Sequence, residues 1–207
     1  MNIEDQESPN PDTTSHESVQ EQPVGRGWAL PVGLALGAAA AGALWAMRRP
    51  VTPADVEPVT DWSPQRFMGH WYEVARIERG HERGLIRTQA EYTLLPDNTV
   101  HVLNRGYDPR LQRWKSAVGK ARFMDNPQVA ALKVSFFGPF HGGFNVVALD
   151  PEYRWALVIG SSVDSCWILS RTPDLPEPVA TRLLRQAAQA GVQVDRLTWV
   201  HQDGVSW

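Results

Sequence analysis

The stretch GHWYE, residues 69–73, decides the fold of this chain, because it opens the first of a series of short runs rich in aromatic and aliphatic residues. Each run is bounded by turn-forming residues, and runs of this length and spacing are typical of strands in an all-β domain. The spacing predicts eight consecutive strands, at 71–77, 89–95, 100–107, 114–123, 130–136, 144–149, 155–161 and 165–171.

The connections between these strands predict a simple up-and-down order. Tight-turn sequences stand at 96–98, 108–110, 125–127, 150–152 and 162–164, and such sequences favour hairpins between consecutive antiparallel strands. Two connections are longer, at 78–87 and 138–143. Eight antiparallel strands remove their free edges by closing into a β-barrel that has room for one small ligand. A sandwich packed solid with side chains is the alternative architecture.

One α-helix follows the strands. Residues 177–190 place Leu183, Leu184, Ala187 and Ala188 on one side, and Gly191 is positioned to end the helix. A last strand is predicted at 197–201. The predicted fold class is therefore an all-β, eight-stranded antiparallel up-and-down barrel with one C-terminal helix.

The N-terminal quarter of the chain has a different composition. Residues 1–26 are polar, carry six acids and predict a disordered tail. Residues 27–47 hold no charge over 21 positions, which predicts a single transmembrane or signal helix, with a buried soluble helix as the alternative. Residues 48–60 are Pro-rich and predict a linker that spaces the barrel, residues 61–207, from the membrane. Whether the helix is retained or cleaved is left open.

Charge and cysteine content exclude some functions. The whole chain has a net charge of −3, so the concentrated basic surface that nucleic-acid binding requires is not expected. Cys166 is the single cysteine, so an internal disulfide is impossible and stability must come from the core.

Three motifs make this sequence resemble the lipocalins. Gly69-His70-Trp71 fits the Gly-x-Trp signature at the start of the first strand, 153–160 stands where the second motif falls, and Arg171 fits the arginine of the third. Further stretches are similar to those of the bacterial outer-membrane subgroup and its apolipoprotein D-like relatives. They are 82–84, 104–107 and 131–140.

The resemblance implies a structural pair and a ligand class. It implies that Trp71 crosses the closed end of the barrel, where Arg171 stacks on it. It also implies a carrier that binds, stores or transports small hydrophobic ligands, fatty acids or lysophospholipids, at the cell envelope. The bacterial subgroup often carries a lipidated cysteine, which is missing here after the apolar segment, so a transmembrane helix would be the membrane anchor.

The side of the membrane on which the barrel lies follows from two opposed signals. The resemblance places it in the periplasm, whereas Arg48 and Arg49 after the span and only Arg26 before it point weakly to the cytosol. We expect the periplasm, because a difference of one charge is a weak signal.

Strand alternation predicts which side chains face the ligand, because residues two apart share a face. If Trp71 points inward, so do Glu73, Ala75 and Ile77; if Arg171 points inward, so do Leu169 and Trp167. Glu73 is either a head-group contact or, as we favour, a buried partner for an arginine or tyrosine.

No catalytic residue, metal site or cofactor is predicted. The six histidines lack the spacing of zinc ligands, and the chain has no Gly-x-Ser-x-Gly, phosphate loop or dinucleotide fingerprint. Cys166 is interpreted as a buried hydrophobe, although a lipid-modifying enzyme and a solid-cored interaction module stay as alternatives. The aromatic residues of 136–143 predict a dimer contact or a membrane-facing lip at the barrel rim.

Overall fold

A computed structural model of the protein describes residues 51–80 and 82–203. Within them the chain forms a four-residue helix α1, eight long strands, a helix α2, one 3-10 turn at Val194–Arg196 and a short last strand. The elements are α1 Pro64–Phe67, β1 Gly69–Ile77, β2 Ile86–Leu94, β3 Thr99–Asp108, β4 Arg113–Phe123, β5 Ala131–Phe137, β6 Phe140–Leu149, β7 Trp155–Ile159, β8 Cys166–Ser170, α2 Glu177–Gln189 and β9 Leu197–Trp199.

The eight long strands form a closed antiparallel barrel. Each strand pairs with the next one along the chain, and β1 pairs with both β2 and β8, so the sheet has no free edge between its first and last strands. The predicted eight-stranded up-and-down barrel with one C-terminal helix is therefore confirmed.

The connection between β5 and β6 differs from the prediction of a longer loop at 138–143. Phe137 and Phe140 pair directly, so only Gly138 and Pro139 form the turn and β6 begins at Phe140. Gly138 has a φ of +50°, a left-handed conformation that glycine adopts without steric cost. The prediction was wrong because the glycines at 142 and 143 were interpreted as loop residues, whereas they are strand residues.

Helix α2 packs on the outside of the barrel. Its buried residues Leu183 and Ala187 join an apolar cluster with outward-facing side chains of β1, β7 and β8. The helix ends as predicted at Gly191, whose φ is +87° and whose N–H donates to the carbonyl of Ala188. This outer cluster leaves the interior of the barrel free for other side chains.

The short strand β9 and the residues after it fill a split in the wall. The pairing of β1 with β2 runs from Gly69 to Tyr72 and ends there. Farther along β1, the strand β9 pairs with Ala75–Ile77. The Gln202 side chain donates to the carbonyls of Glu73 and Thr88 and so bridges β1 and β2 where their ladder ends. These contacts hold the open end of the barrel together.

The tail at 1–26 and the apolar segment at 27–47 lie outside the described residues. Among the residues that are described, no helix is both long and apolar enough to cross a membrane.

Residues 51–60, which we interpreted as part of a spacer, pack against the barrel. Val51 and Val56 are buried, and the Val59 backbone bonds to both Ala130 and Val146. The spacer interpretation therefore does not hold for these residues, because Val51 and Val56 are buried and the Val59 backbone is paired with Val146 of β6 and with Ala130, which precedes β5.

Candidate functional site

The closed end of the barrel is packed solid with aromatic rings. Phe67 stacks on Trp71 with ring centroids 4.7 Å apart, and it also contacts Trp62, Tyr92 and Phe144. The remaining void among these rings measures only about 10 Å³. A ligand must therefore lie above this layer, toward the open end.

Arg171 covers the closed end of the barrel and holds its backbone through stacking and hydrogen bonds. Its guanidinium carbon lies 3.9 Å from the centroid of the Trp71 ring, the stacking that the family resemblance implies. The same side chain donates to the carbonyls of Arg66, Phe67, Met68, His70 and Tyr153. Gly69 stands beside it with a φ of +90°, a conformation that L side chains rarely adopt. The motif residues therefore fix the chain that enters β1.

Above the aromatic layer the barrel is hollow. Two adjoining compartments have volumes of about 320 Å³ and 410 Å³, the first deeper and the second toward the open end. They share seven lining residues, which are Glu73, Glu82, Asn104, Val134, Phe136, His141 and Gly142. The space reaches the size range of small-molecule sites in proteins.

The lining of this cavity is apolar next to the aromatic layer and carries polar side chains in both compartments, among them Arg79, Ser161 and Ser165 in the first. Trp167 and Leu169, both predicted to face the ligand, line the deeper compartment beside Ala90 and Val102. Arg105 and Lys115 line the outer compartment, where Phe137 and Phe140 form an exposed aromatic rim. The cavity is therefore amphipathic along its length.

The predicted inward orientation of Ala75 and Ile77 is wrong. The pairing of β1 with β8 shifts by one residue between Glu73 and Ala75, which is a β-bulge. Beyond it the alternation is reversed, so Ala75 and Ile77 join the outer cluster under α2 and do not line the cavity. Glu73 precedes the bulge and keeps its inward orientation.

The same bulge turns Arg76 inward, a residue that sequence reasoning missed. Arg76 is fully buried and donates to the Thr88 hydroxyl and to the carbonyls of Glu82 and Leu85. It therefore ties the β1–β2 connection over the cavity. The one sequence signal was the adjacent pair Val74-Ala75, two apolar residues in a row that break the expected alternation.

Glu73 faces this cavity beside Arg76, and Glu82 is a second acid in its lining. The Oε1 atom of Glu73 lies 3.9 Å from the Arg76 Nη1 atom and, among the described residues, accepts no hydrogen bond. Burial raises the pKa of Glu73 from 4.5 to about 7, and the positive charge of Arg76 only partly opposes this. The interpretation of Glu73 as a partner of an arginine agrees with this contact, and its head-group role stays a prediction.

The raised pKa of Glu73 makes stability depend on pH. Because the unfolded chain loses this proton near pH 4.5 and the folded chain near 7, the folded state binds more protons between them. Stability therefore falls as pH rises through this window and is constant above it. We therefore compare the free energy of unfolding of Glu73→Gln with that of the wild type at two pH values. The advantage of the variant is expected to be larger at pH 8 than at pH 5, by on the order of 1 to 2 kcal/mol.

Urea denaturation at the two pH values measures this difference. Glu57→Gln, which changes an exposed acid, is the matched control and should show the same small effect at both pH values. A Glu73→Gln effect that did not change with pH would contradict the prediction.

The environment of Cys166 argues against a thiol nucleophile. The side chain is fully buried in the outer cluster, not in the cavity, and burial raises its pKa to about 12. Within the described part of the chain, no three histidine, cysteine, aspartate or glutamate side chains are grouped so that they could hold a metal ion.

The comparison with protein families decides what kind of barrel this is. Residues 63–202 match the family described as "Lipocalin-like domain". The chain belongs to the lipocalins. The order of the motifs around Trp71 and Arg171 had predicted this membership, which is now confirmed.

This lipocalin is similar to bacterial envelope proteins. It is 45% identical over 171 residues to the outer membrane lipoprotein Blc of Escherichia coli (strain K12), which covers 83% of this chain and 97% of the relative. It is 46% identical over 155 residues to the protein of that name from Citrobacter freundii, with 75% and 88% covered. The resemblance to the bacterial subgroup is confirmed.

Solved structures share the lipocalin fold at low sequence identity. Insecticyanin from the tobacco hornworm Manduca sexta aligns with a TM-score of 0.59 at 19% identity, over 73% of this lipocalin and 86% of its own chain. At that identity the likeness concerns the fold alone. Barrels of this kind hold one small ligand in their interior, and the amphipathic cavity above Phe67 is the corresponding space here.

Proposed function

We propose that this lipocalin binds single-chain amphiphiles, fatty acids or lysophospholipids, and stores or carries them at the cell envelope. The observation that carries the proposal is the amphipathic lining of the cavity, which is apolar next to the aromatic layer and carries polar side chains in both compartments. One acyl chain matches the apolar surface next to the aromatic layer, and one head group matches the polar side chains beyond it.

The deep part of the cavity suits an acyl chain. Trp167, Leu169, Ala90 and Val102 offer it apolar surface, and the aromatic layer at Phe67 limits how far a chain can extend. Each buried CH₂ contributes about 0.8 kcal/mol of transfer free energy, so chain length is expected to dominate affinity.

Polar partners for a head group lie where the two compartments adjoin, because Glu73 and Asn104 line both of them. Glu73 Oε1 and Asn104 Oδ1 are buried acceptors that, among the described residues, have no hydrogen-bond partner. Buried polar atoms are usually paired, so a hydroxyl or ammonium group of a ligand would satisfy them. Arg105 also lines the outer compartment and would attract a carboxylate or phosphate, whereas Lys115 beside it already pairs with Asp108.

The envelope location rests on the relatives. Both bacterial proteins described above are named outer membrane lipoproteins, which supports a membrane-attached carrier. Attachment through the segment 27–47, the periplasmic side and a homodimer formed through the aromatic rim at Phe137 and Phe140 stay predictions.

Binding of a fluorescent fatty acid to the full chain tests the proposal. We expect saturable one-site binding, which oleate and lysophosphatidylethanolamine displace and butyrate does not, because butyrate buries too few CH₂ groups. An absence of saturable binding by any single-chain lipid would overturn the proposed function. It would favour an interaction module that does not use the cavity.

A further inference from the structure

The wall of the barrel opens between β4 and β5. These strands pair over four positions, from Phe123↔Leu132 to Lys120↔Ser135, and no pairing follows although both strands continue. Gly119 and Phe136 stand where the next pair would form. The ladder therefore ends beside the cavity, halfway along β4.

Outside this point lies a cleft of about 820 Å³, which we call the lateral cleft. Its lining includes Val118, Lys120, Arg122, Lys133 and Pro139, which belong to β4, β5 and the β5–β6 turn. Gly119 and Phe136 form part of its floor. Ala121 and Phe123, the next odd-numbered residues of β4, point into the barrel, so Gly119 stands at an inward-facing position and is nevertheless reached from outside. The wall is therefore thinnest there.

Phe136 separates the lateral cleft from the cavity. It lines the cleft and both inner compartments, and its ring occupies the place that a side chain at residue 119 would take. A Cβ atom built on Gly119 would lie 2.8 Å from the Phe136 ring. The Phe136 ring, together with His141, which lines the same three spaces, thus stands between the lateral cleft and the cavity.

The lateral cleft carries an uncompensated positive charge. Arg122 and Lys133 are directly opposite one another in the β4–β5 register, an arrangement that destabilises a sheet. Lys120 pairs with Asp97, but no carboxylate of the described residues forms an ion pair with Arg122 or Lys133. Two adjacent cations beside an apolar floor are complementary to an anionic amphiphile.

We infer that the lateral cleft is an entrance subsite for lysophospholipids. Arg122 and Lys133 bind the phosphate, while the acyl chain passes between β4 and β5 as Phe136 rotates away from Gly119. This inference rests on the proposed function, because it describes how a lipid reaches the cavity. It differs from entrance through the open end, past Arg105, Lys115 and the aromatic rim.

Stopped-flow measurement of the association of two lipids with the full chain tests whether the positive charge of the lateral cleft attracts the lipid phosphate. The probes carry the same NBD-labelled acyl chain, one as lysophosphatidylglycerol and one as uncharged monoacylglycerol, below their micellar concentrations. We expect Arg122→Glu/Lys133→Glu to lower the association rate constant of the phosphate lipid roughly tenfold at low salt. The association rate constant of the uncharged lipid should not change.

The matched control changes the same charge at the open end. Arg110→Glu/Arg113→Glu lies at the β3–β4 turn, outside the lateral cleft, and should slow the phosphate lipid less than twofold, a limit well below the tenfold effect of steering. Equal slowing by both double variants, or slowing by the control alone, would overturn the inference while the proposed function stands.

A second pair of variants tests the barrier itself. Phe136→Ala is expected to accelerate association and dissociation of both lipids several-fold, whereas Trp114→Ala, which removes an exposed aromatic ring of β4 that lines neither the lateral cleft nor the two compartments, should change neither rate. The reverse pattern would overturn the lateral route. If the wild-type chain bound neither lipid at equilibrium, the proposed function itself would fail, and that result is distinct from altered rates.

Discussion

Arg171→Ala is expected to lower the free energy of unfolding by about 2 to 4 kcal/mol. The substitution removes the stacking on Trp71 and leaves the carbonyls of Met68 and Tyr153 without their donor. The five hydrogen bonds share one side chain and some of their acceptors can reach water, so their energies do not add. Urea denaturation followed by tryptophan fluorescence measures the loss.

Two controls separate the shape of Arg171 from its charge. Arg171→Lys keeps the charge but not the planar guanidinium group. We expect it to lower the free energy of unfolding, but by less than Arg171→Ala does. Arg66→Ala removes another arginine that stacks on a ring, that of Tyr153, but its side chain is half exposed and its loss should stay below about 1 kcal/mol. If Arg171→Ala and Arg66→Ala lowered the free energy of unfolding equally, Arg171 would not be the residue that holds the closed end together.

The barrel could be predicted from the sequence because its information is local. Turn residues such as Asp150-Pro151 mark where each hairpin reverses, and the apolar runs between them mark the strands. Antiparallel strands joined by short turns then leave few topologies, and the order of the motifs around Trp71 and Arg171 selects the lipocalin arrangement.

The cavity wall was harder to predict because it depends on register. The bulge after Glu73 reverses the faces of β1, so Ala75 moves outward and Arg76 moves inward, and strict alternation gives the opposite result. The lateral cleft is a stronger case, since it exists only because the β4–β5 ladder stops at Lys120. Pairing between distant strands decides both features, and no local pattern encodes it.

Gly142→Trp is expected to weaken binding of the fluorescent fatty acid roughly 10- to 100-fold, about 1.4 to 2.8 kcal/mol. Gly142 lines both compartments of the cavity, and a Cβ atom built on it meets nothing within 4 Å. Its φ lies outside the left-handed region, so a larger side chain fits the backbone. The indole would therefore occupy the ligand space without straining β6. Equilibrium titration of the full chain measures the affinity.

The control for this variant holds the backbone change constant and varies only bulk. Gly142→Ala loses the same conformational freedom but adds one methyl group to open space, so its affinity should stay within about threefold of the wild type. A thermal denaturation midpoint near that of the wild type for Gly142→Trp would show that the barrel is intact. An intact Gly142→Trp variant with unchanged affinity would mean that the lipid binds outside the cavity, because the indole and an acyl chain cannot share the space between Phe136 and Trp167.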